Sequence, residues 1–312
     1  MNIKPGIRSA LWMVPGALCM LLLILVLGHF QREQNPARQL AFKAQRVDLV
    51  SRMQFALSSA TEAEKSAVMA ITDQESKDFA DQARAATAEV ERERRDIEEL
   101  LKTGGTPAEE GLLAQFSQAF AEFQHIDKDL LDLAVKNTNL KAYALTFSPA
   151  ADAIDEMNRA LSRIIALNVD SPEAKKLMLL AFGAQISALH IQALLPPHIA
   201  EESDEKMDKL EGLMAKEDAQ VRKDIDALKT FPSLSADADL ATAAQSYTRF
   251  SKIRVEILKL SRENTNVRSL AISLNQKRKV TLLCQGALSA LKQAIMEEPV
   301  TGVPHGPVPR PR

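Results

Sequence analysis

Polar side chains that interrupt apolar helical stripes are the residues of this sequence best suited to binding chemistry. Arg94 falls between Val90 and Ile97, where the stripe calls for an apolar residue. A planar guanidinium can bind a carboxylate through two parallel hydrogen bonds. If neighbouring helices pair antiparallel, further polar residues lie at about the same height as Arg94 along the bundle axis: Gln54, Gln118, and Asn158 or Arg159. These residues predict a site for an organic acid, the alternative being that Arg94 extends from the edge of the stripe to water.

A second interruption occurs at Glu217, between Met214 and Val221. The polar residues at nearby heights are Gln185, Ser187, Thr248 and Lys277. This group predicts a site for a polar or cationic ligand. A buried polar layer that fixes the register of the helices would explain the same pattern.

Other polar residues are expected to be structural. Glu64 comes to the height of Lys128 and predicts a salt bridge at the edge of the bundle. His190 and His198 are expected to be structural or solvated. The sequence Asn-Thr-Asn, which occurs at residues 137–139 and again at 264–266, predicts a helix stop followed by the N-cap of the next helix.

No catalytic, cofactor or metal site is predicted. A c-type haem requires C-x-x-C-H, which the sequence lacks. A di-iron bundle requires two E-x-x-H motifs; only Glu122 and His125 match, and Phe123 holds the apolar stripe between them. Cys19 and Cys284 lie in distant segments, so an internal disulfide is not expected. The sequence therefore predicts a protein that is not an enzyme.

Composition predicts a helical protein that does not bind nucleic acid. There are 39 basic and 41 acidic residues, for a net charge of -2, whereas a nucleic-acid-binding domain has an excess of basic residues. Only 11 residues are glycine and 4% are aromatic. Ala, Leu and charged residues dominate, which favours long helices over sheets. We predict an all-α fold.

An internal repeat organises the chain. The stretch from Phe116 to Ile164 recurs 127 positions later without a gap, so that Phe250 corresponds to Phe123 and Asn264 to Asn137. Because a shared helical period alone would not reproduce the Asn-Thr-Asn break, the pattern indicates a duplicated structural unit.

Each repeat has four amphipathic helices joined by short connections. Pro36 after Asn35 begins the first helix, and Thr72 with Glu75 forms a capping box for the second. Because each apolar stripe is too narrow to be buried alone, the helices are expected to form an antiparallel four-helix bundle. The sequence predicts one bundle at residues 36–168 and another at 171–297, stacked end to end with coiled-coil-like packing.

The two ends of the chain differ from the bundles. Residues 10–30 carry no charge and are long enough to cross a bilayer, which takes about 20 apolar residues. They predict a transmembrane helix after a cytoplasmic segment at 1–9; a cleaved signal peptide is the alternative. Basic residues flank both sides, so charge leaves the orientation open. The proline-rich residues 298–312 predict a disordered tail.

Several features together resemble a known family. A membrane helix runs into a long first helix, and the second helix has the phase of Val90, Ile97 and the segment Leu100-Leu101-Lys102. After the polar break, the fourth helix begins Asn-Leu-Lys-Ala-Tyr-Ala-Leu at residue 139 and passes through Ser148-Pro149. On these features, residues 40–165, and more loosely 172–297, resemble the four-helix-bundle ligand-binding domain of bacterial methyl-accepting chemotaxis receptors.

The resemblance implies a periplasmic module that binds small ligands and passes a helix displacement through the membrane. No linker or cytoplasmic signalling region follows Ile295 in this sequence, so a complete receptor is not expected. We predict a single-pass inner-membrane sensor, mostly periplasmic, with a small organic ligand and with a homodimer or a chemoreceptor-type protein as partner. The alternatives are an interaction scaffold, holding a partner at a set distance from the membrane, and a receptor-accessory protein.

Overall fold

A computed structural model describes residues 36–300 of the chain. The predicted cytoplasmic segment 1–9, the predicted transmembrane helix 10–30 and residues 301–312 of the predicted tail lie outside the described residues. Between residues 36 and 300 the chain is helical and contains no strand. The predicted all-α class is confirmed.

Ten α-helices follow one another in this described part. They are α1 (Pro36–Met69), α2 (Asp73–Gly104), α3 (Pro107–Ala134), α4 (Thr138–Leu145), α5 (Ala151–Leu167), α6 (Ala174–Ala200), α7 (Asp204–Lys229), α8 (Ala238–Glu263), α9 (Thr265–Ile272) and α10 (Arg278–Glu297). A π-helical segment, Thr146–Ala150, joins α4 to α5, and another, Ser273–Lys277, joins α9 to α10. The two π-helical segments occupy equivalent places in the two repeats.

Capping residues fix where the helices begin. The Glu75 amide donates to Thr72 Oγ1 at 3.2 Å, and the Thr72 hydroxyl donates to the Glu75 carboxylate at 2.9 Å. In the second box the Glu109 amide donates to Thr106 Oγ1 at 3.2 Å, and Glu109 Oε2 accepts from the Thr106 amide at 2.9 Å. These bonds satisfy amide groups that the first turn of a helix cannot pair internally.

The two Asn-Thr-Asn segments end helices, as predicted. Asn137 and Asn264 have φ angles of 51° and 52°, and they are the non-glycine residues with positive φ in the described chain. This left-handed conformation interrupts a right-handed helix, and asparagine tolerates it better than most residues. The side chains do not cap the helices that follow. The Asn137 side-chain amide instead donates to Asp73 at 3.1 Å.

Each break is capped by the equivalent break of the other repeat. The Thr138 amide donates to Thr265 Oγ1 at 3.2 Å, and the Thr265 amide donates to Thr138 Oγ1 at 3.1 Å. The Asn139 amide donates to Asn266 Oδ1 at 3.2 Å, and the reverse bond measures 3.1 Å. Because each residue bonds to its own counterpart, the two repeats are related here by a local two-fold axis.

The described chain forms two compact units, and neither follows a single repeat. Unit 1 contains residues 36–59, 85–121 and 281–300. It therefore joins parts of α1, α2 and α3, from the first repeat, to α10, from the second. A direct contact is the Gln54 side-chain amide of α1, which lies 3.4 Å from Ser289 Oγ of α10.

Unit 2 contains residues 60–84 and 122–280. In it α5, from the first repeat, packs against α6 and α8, from the second. The Gln185 side-chain amide of α6 donates to Ser162 Oγ of α5 at 3.1 Å. This contact is the counterpart of Gln54 with Ser289, because Ser162 precedes Ser289 by the 127-residue repeat. We call this arrangement, in which each repeat gives its last helix to the other repeat's helices, the helix exchange.

The helix exchange corrects the predicted domain boundaries. The predicted bundles, at residues 36–168 and 171–297, are each made from one repeat. In the structure α5 belongs with α6 and α8, and α10 belongs with α1 in unit 1. The physical reason is that the last helices of the two repeats present the same apolar stripe. Helical periodicity therefore cannot indicate which of them completes which set of helices.

The core of unit 2 consists of two apolar clusters. The larger one joins α5, α6, α7 and α8 through residues such as Met157, Leu195, Val221 and Phe250. The smaller one joins the α1–α2 turn to the end of α3 and to Ile272 of α9; its buried members are Ala67, Val68, Ala80, Ala83, Leu130, Leu131 and Ala134. The small side chains of this second cluster allow close helix contact beside the polar residues described below.

Among the described residues α6 is long and apolar enough to cross a membrane, judged by length and composition alone. In the structure it packs against α5, α7 and α8. Its exposed apolar residues are Leu179, Phe182, Ile186 and Leu189.

Candidate functional site

Arg94 is paired with acidic residues of its own helix. Its Nε and Nη2 donate to the two carboxylate oxygens of Glu91 at 2.8 and 2.9 Å, and its Nη1 donates to Glu98 at 2.9 Å. The bonds from Arg94 lower the pKa of Glu91 to about 2. Glu91 and Glu98 already accept hydrogen bonds from all three guanidinium nitrogens of Arg94. An organic acid could bind there only by displacing these carboxylates.

The other members of the predicted Arg94 group are not gathered around it. Gln54 contacts Ser289, and Gln118 is exposed in unit 1. Arg159 is exposed and belongs to unit 2, whereas Arg94 belongs to unit 1. The predicted grouping requires α5 to pack beside the first three helices of its own repeat, whereas α5 packs against α6 and α8 in unit 2.

Of the predicted Glu217 group, Ser187 contacts Glu217, whereas Gln185 and Lys277 contact other residues. Glu217 lies 3.6 Å from His190 Nδ1, and a hydrogen bond from Ser187 is the largest cause of its lowered pKa. Gln185 donates to the Asn158 carbonyl at 3.0 Å and to Ser162. Lys277 pairs with other residues, described next.

Unit 2 contains a buried charge cluster formed by Glu64 of α1, Asp127 of α3 and Lys277 of the second π-helical segment. Their exposed fractions are 1%, 3% and 1%. The Lys277 ammonium donates to Asp127 Oδ1 and, at 3.3 Å, to the Phe123 carbonyl oxygen. It also lies 3.2 Å from the centre of the Phe123 ring, a cation–π contact that helps to replace lost hydration.

Glu64 completes the buried charge cluster without a hydrogen bond. Neither of its carboxylate oxygens has a hydrogen-bond partner among the described residues. The Ser273 hydroxyl approaches closely enough to lower the pKa of Glu64, yet without hydrogen-bond geometry. Burial is the larger effect, and the pKa of Glu64 is raised. The predicted edge salt bridge between Glu64 and Lys128 is wrong, since Glu64 is buried and Lys128 is exposed.

The sequence contains a signal for this cluster in the position of Asp127. Asp127 continues the buried stripe of α3 through Phe123, Leu130 and Ala134, at helical spacing. A carboxylate at a core position requires a buried partner. Lys128, the predicted partner of Glu64, lies one position beyond Asp127, about 100° around the helix, and it is exposed.

A second polar chain, buried at Ser261 and His198 and partly exposed at Glu211, connects α6, α7 and α8. Ser261 Oγ lies 2.8 Å from His198 Nδ1, and His198 Nε2 lies 2.9 Å from Glu211 Oε1. Burial lowers the pKa of His198, which favours the neutral ring, with Nε2 donating to Glu211. Serine, histidine and glutamate in this order resemble a catalytic triad. Ser261 has an exposed fraction of 0%, however, so a substrate could not reach its hydroxyl and the chain is structural. The prediction that His198 is structural agrees with these contacts.

Among residues 36–300, no three histidine, cysteine or acidic side chains are grouped closely enough to hold a metal ion. The buried charge cluster has two carboxylates, but the Lys277 ammonium already occupies the position beside Asp127. The chemistry available there is proton binding and ion pairing.

Comparison with known proteins identifies the first repeat. Residues 52–178 match the family described as a four helix bundle sensory module for signal transduction. This segment is similar to the four-helix-bundle sensory module of chemotaxis receptors. The predicted resemblance is confirmed for this part of the chain. No curated protein matches the sequence.

The sensory-module match agrees with a signalling role in place of an enzymatic one, because the family is one of sensor modules. Such modules typically lie in the periplasm of membrane receptors. The matched segment runs from α1 to the start of α6, and the helix exchange distributes it over both compact units. The buried charge cluster takes Glu64 and Asp127 from the matched segment and Lys277 from the second repeat.

Proposed function

We propose that this protein is a sensor module anchored in the bacterial inner membrane by the predicted helix at 10–30, with its bulk in the periplasm. The observation that carries the proposal is the match of residues 52–178 to the four-helix-bundle sensory module. In this proposal the protein binds a small organic ligand between its helices and signals through a change in helix packing. Its partner is a second copy of the chain or a chemoreceptor-type protein.

The helix exchange supports a mechanism for such signalling. Because Glu64 and Asp127 belong to the first repeat and Lys277 to the second, the buried charge cluster links helices of both repeats. Lys277 is the residue directly before α10. A stimulus that changes the ion pair between Asp127 and Lys277 would therefore act on the segment that leads into α10.

Three groups of polar residues are candidates for the ligand. The Arg94 site requires a ligand carboxylate to replace Glu91 or Glu98. The Glu217 group, with Gln185, requires loss of the His190 contact. The buried charge cluster, with Lys277, requires the helices to open. At each of the three sites a ligand can bind only after existing side-chain contacts are lost. Binding would therefore select a minor conformation of the protein.

The test is a thermal-shift screen of the full-length chain in detergent against organic acids, amino acids and amines. We expect one class of compound to raise the melting temperature, and the shift to be lost in Arg94→Ala, Glu217→Gln or Lys277→Met. The matched control is Lys128→Met, which removes an exposed lysine from the same unit as Lys277. A screen without any shift would contradict ligand binding, and a stoichiometric co-purifying partner in that case would favour the scaffold alternative.

Topology requires a separate experiment. Single cysteines placed at exposed positions of unit 1 and unit 2, in a chain lacking Cys19 and Cys284, should react with a membrane-impermeant thiol reagent in intact spheroplasts. Labelling only after the membrane is broken would contradict a periplasmic location.

A further inference from the structure

Glu64 is a buried acid, and among the described residues the buried base beside it, Lys277, is already paired with another acid. The Glu64 side chain is 1% exposed, and neither oxygen has a hydrogen-bond partner among the described residues. The Lys277 ammonium is already bonded to Asp127. An ionised carboxylate that is removed from water and given no donor is strongly disfavoured.

The buried charge cluster contains two acidic side chains and one basic side chain. Asp127 faces it from α3, Lys277 and Ser273 face it from the second π-helical segment, and Lys65 is the nearest charge on its own helix. To the adjoining apolar cluster α2 contributes Ala80 and Ala83, with Phe79 packed against it. With both carboxylates ionised the buried charge cluster would carry a net charge of -1.

We propose that Glu64 is a proton-binding site, holding a proton at neutral pH and releasing it when the surroundings become alkaline. A protonated carboxyl group is neutral and can donate a hydrogen bond, so it requires no buried cation. The cluster then contains one carboxylate and one ammonium, which balance each other. Burial raises the pKa of Glu64, which is the direction that this assignment requires.

A proton fits the missing charge better than a metal ion. The described residues offer no group of three metal-binding side chains, and the Lys277 ammonium lies over the Phe123 ring where a second cation would have to approach. A proton needs no additional volume. It is therefore the cation that a closely packed site can accept without opening the helices.

Release of the proton would change the position of Lys277. An ionised Glu64 competes with Asp127 for the same ammonium, and the excess negative charge favours entry of water. Because Lys277 ends the π-helical segment before α10, the change acts where a sensor would transmit it. Proton binding by Glu64 does not depend on the proposed sensor function, but its use as a signal does.

Infrared spectroscopy of the full-length chain in detergent tests proton occupancy directly. We expect a carbonyl stretching band of a protonated carboxyl group at pH 7, shifted by ¹³C-glutamate labelling and absent in Glu64→Gln. The control Glu62→Gln removes an exposed glutamate of the same helix and should keep the band. Absence of the band in the wild type, or its persistence in Glu64→Gln, would overturn the proposal.

The melting temperature as a function of pH provides an independent test. Because folding raises the pKa of Glu64 above its ordinary value of 4.5, the stabilisation is complete below pH 4.5 and is lost as the pH rises through the folded pKa. The wild type and Glu62→Gln should therefore lose melting temperature with rising pH more steeply than Glu64→Gln. Glu64→Leu serves as a second variant if the glutamine does not fold. Parallel curves for all variants would overturn the proposal. The ligand screen measures neither the band nor this slope, so the two proposals can fail separately.

Discussion

Thr138 and Thr265 occupy the same position in two repeats, and each donates its backbone amide to the side-chain oxygen of the other, at 3.2 and 3.1 Å. The contact lies at the breaks where α4 and α9 begin. Each repeat therefore supplies the cap that the other repeat's helix requires. A bundle built from a single repeat could not form these bonds within itself.

Loss of either threonine hydroxyl should destabilise the protein by a similar amount. Thr138→Val and Thr265→Val each leave one buried amide without an acceptor, which costs about 1–3 kcal/mol. Chemical denaturation of the full-length chain in detergent measures the free energy of unfolding. The control Thr248→Val changes an exposed threonine and should have little effect on the free energy of unfolding. Very different costs for the two buried threonines would contradict a symmetric role.

The helices and their boundaries could be predicted from the sequence because their causes are local. The capping box at Thr72 forms as predicted, Thr106 and Glu109 form a second box of the same type, and left-handed asparagines stop the helices at both Asn-Thr-Asn segments. The helix exchange could not be predicted from periodicity, because the last helices of the two repeats have the same apolar stripe. The predicted ligand groups required each bundle to consist of one repeat. Because the structure pairs the helices differently, most members of these groups lie apart.

Lys277→Met should be strongly destabilising because it leaves Asp127 buried without a cation. Removing one partner of a buried pair typically costs about 3–5 kcal/mol. Combining it with Asp127→Leu removes both charges and should recover most of that loss. Denaturant unfolding of the two single variants and the double variant checks this. Equal and additive costs in a double-mutant cycle would argue that the two side chains do not interact.

The same ion pair distinguishes the exchanged arrangement from the unexchanged one. At the equivalent positions Arg254 corresponds to Asp127, and Ala150 corresponds to Lys277. Without the helix exchange, Lys277 would face Arg254 and Asp127 would face Ala150. That arrangement would bring two positive charges together and leave a carboxylate without a cation. The charges therefore favour the exchanged arrangement over the unexchanged one, which the apolar stripes alone do not.

His198 should make stability fall as the medium becomes acidic. Burial lowers its pKa below the ordinary value of 6.5, so the unfolded chain binds a proton that the folded chain does not. Stability is therefore lost as the pH falls below 6.5, by at most about 1.4 kcal/mol per pH unit. His198→Gln should remove this contribution to the slope of unfolding free energy against pH. The exposed His190→Gln should retain it, and a wild-type slope in His198→Gln would show that another group titrates.

Arg94→Met should have a small effect on stability, in contrast to Lys277→Met. Arg94 pairs with Glu91 and Glu98 on the surface of one helix, and such pairs contribute about 0.2–1 kcal/mol each. The pKa of Glu91 should rise from about 2 toward its ordinary value, which NMR titration of the glutamate carboxyl groups can measure. A loss of several kcal/mol would mean that Arg94 supports the core of unit 1.

Thiol cross-linking tests the helix exchange most directly. In a full-length chain whose Cys19 and Cys284 are replaced, cysteines at Gln54 and Ser289 should be joined in high yield by a short bifunctional reagent, because these side chains lie 3.4 Å apart. Cysteines at Gln54 and Ser162 should not be joined within one chain, although Ser162 is the equivalent residue of the other repeat. The reverse result, with cross-linking of Gln54 to Ser162 and none to Ser289, would contradict the exchange and the account of the buried charge cluster that depends on it.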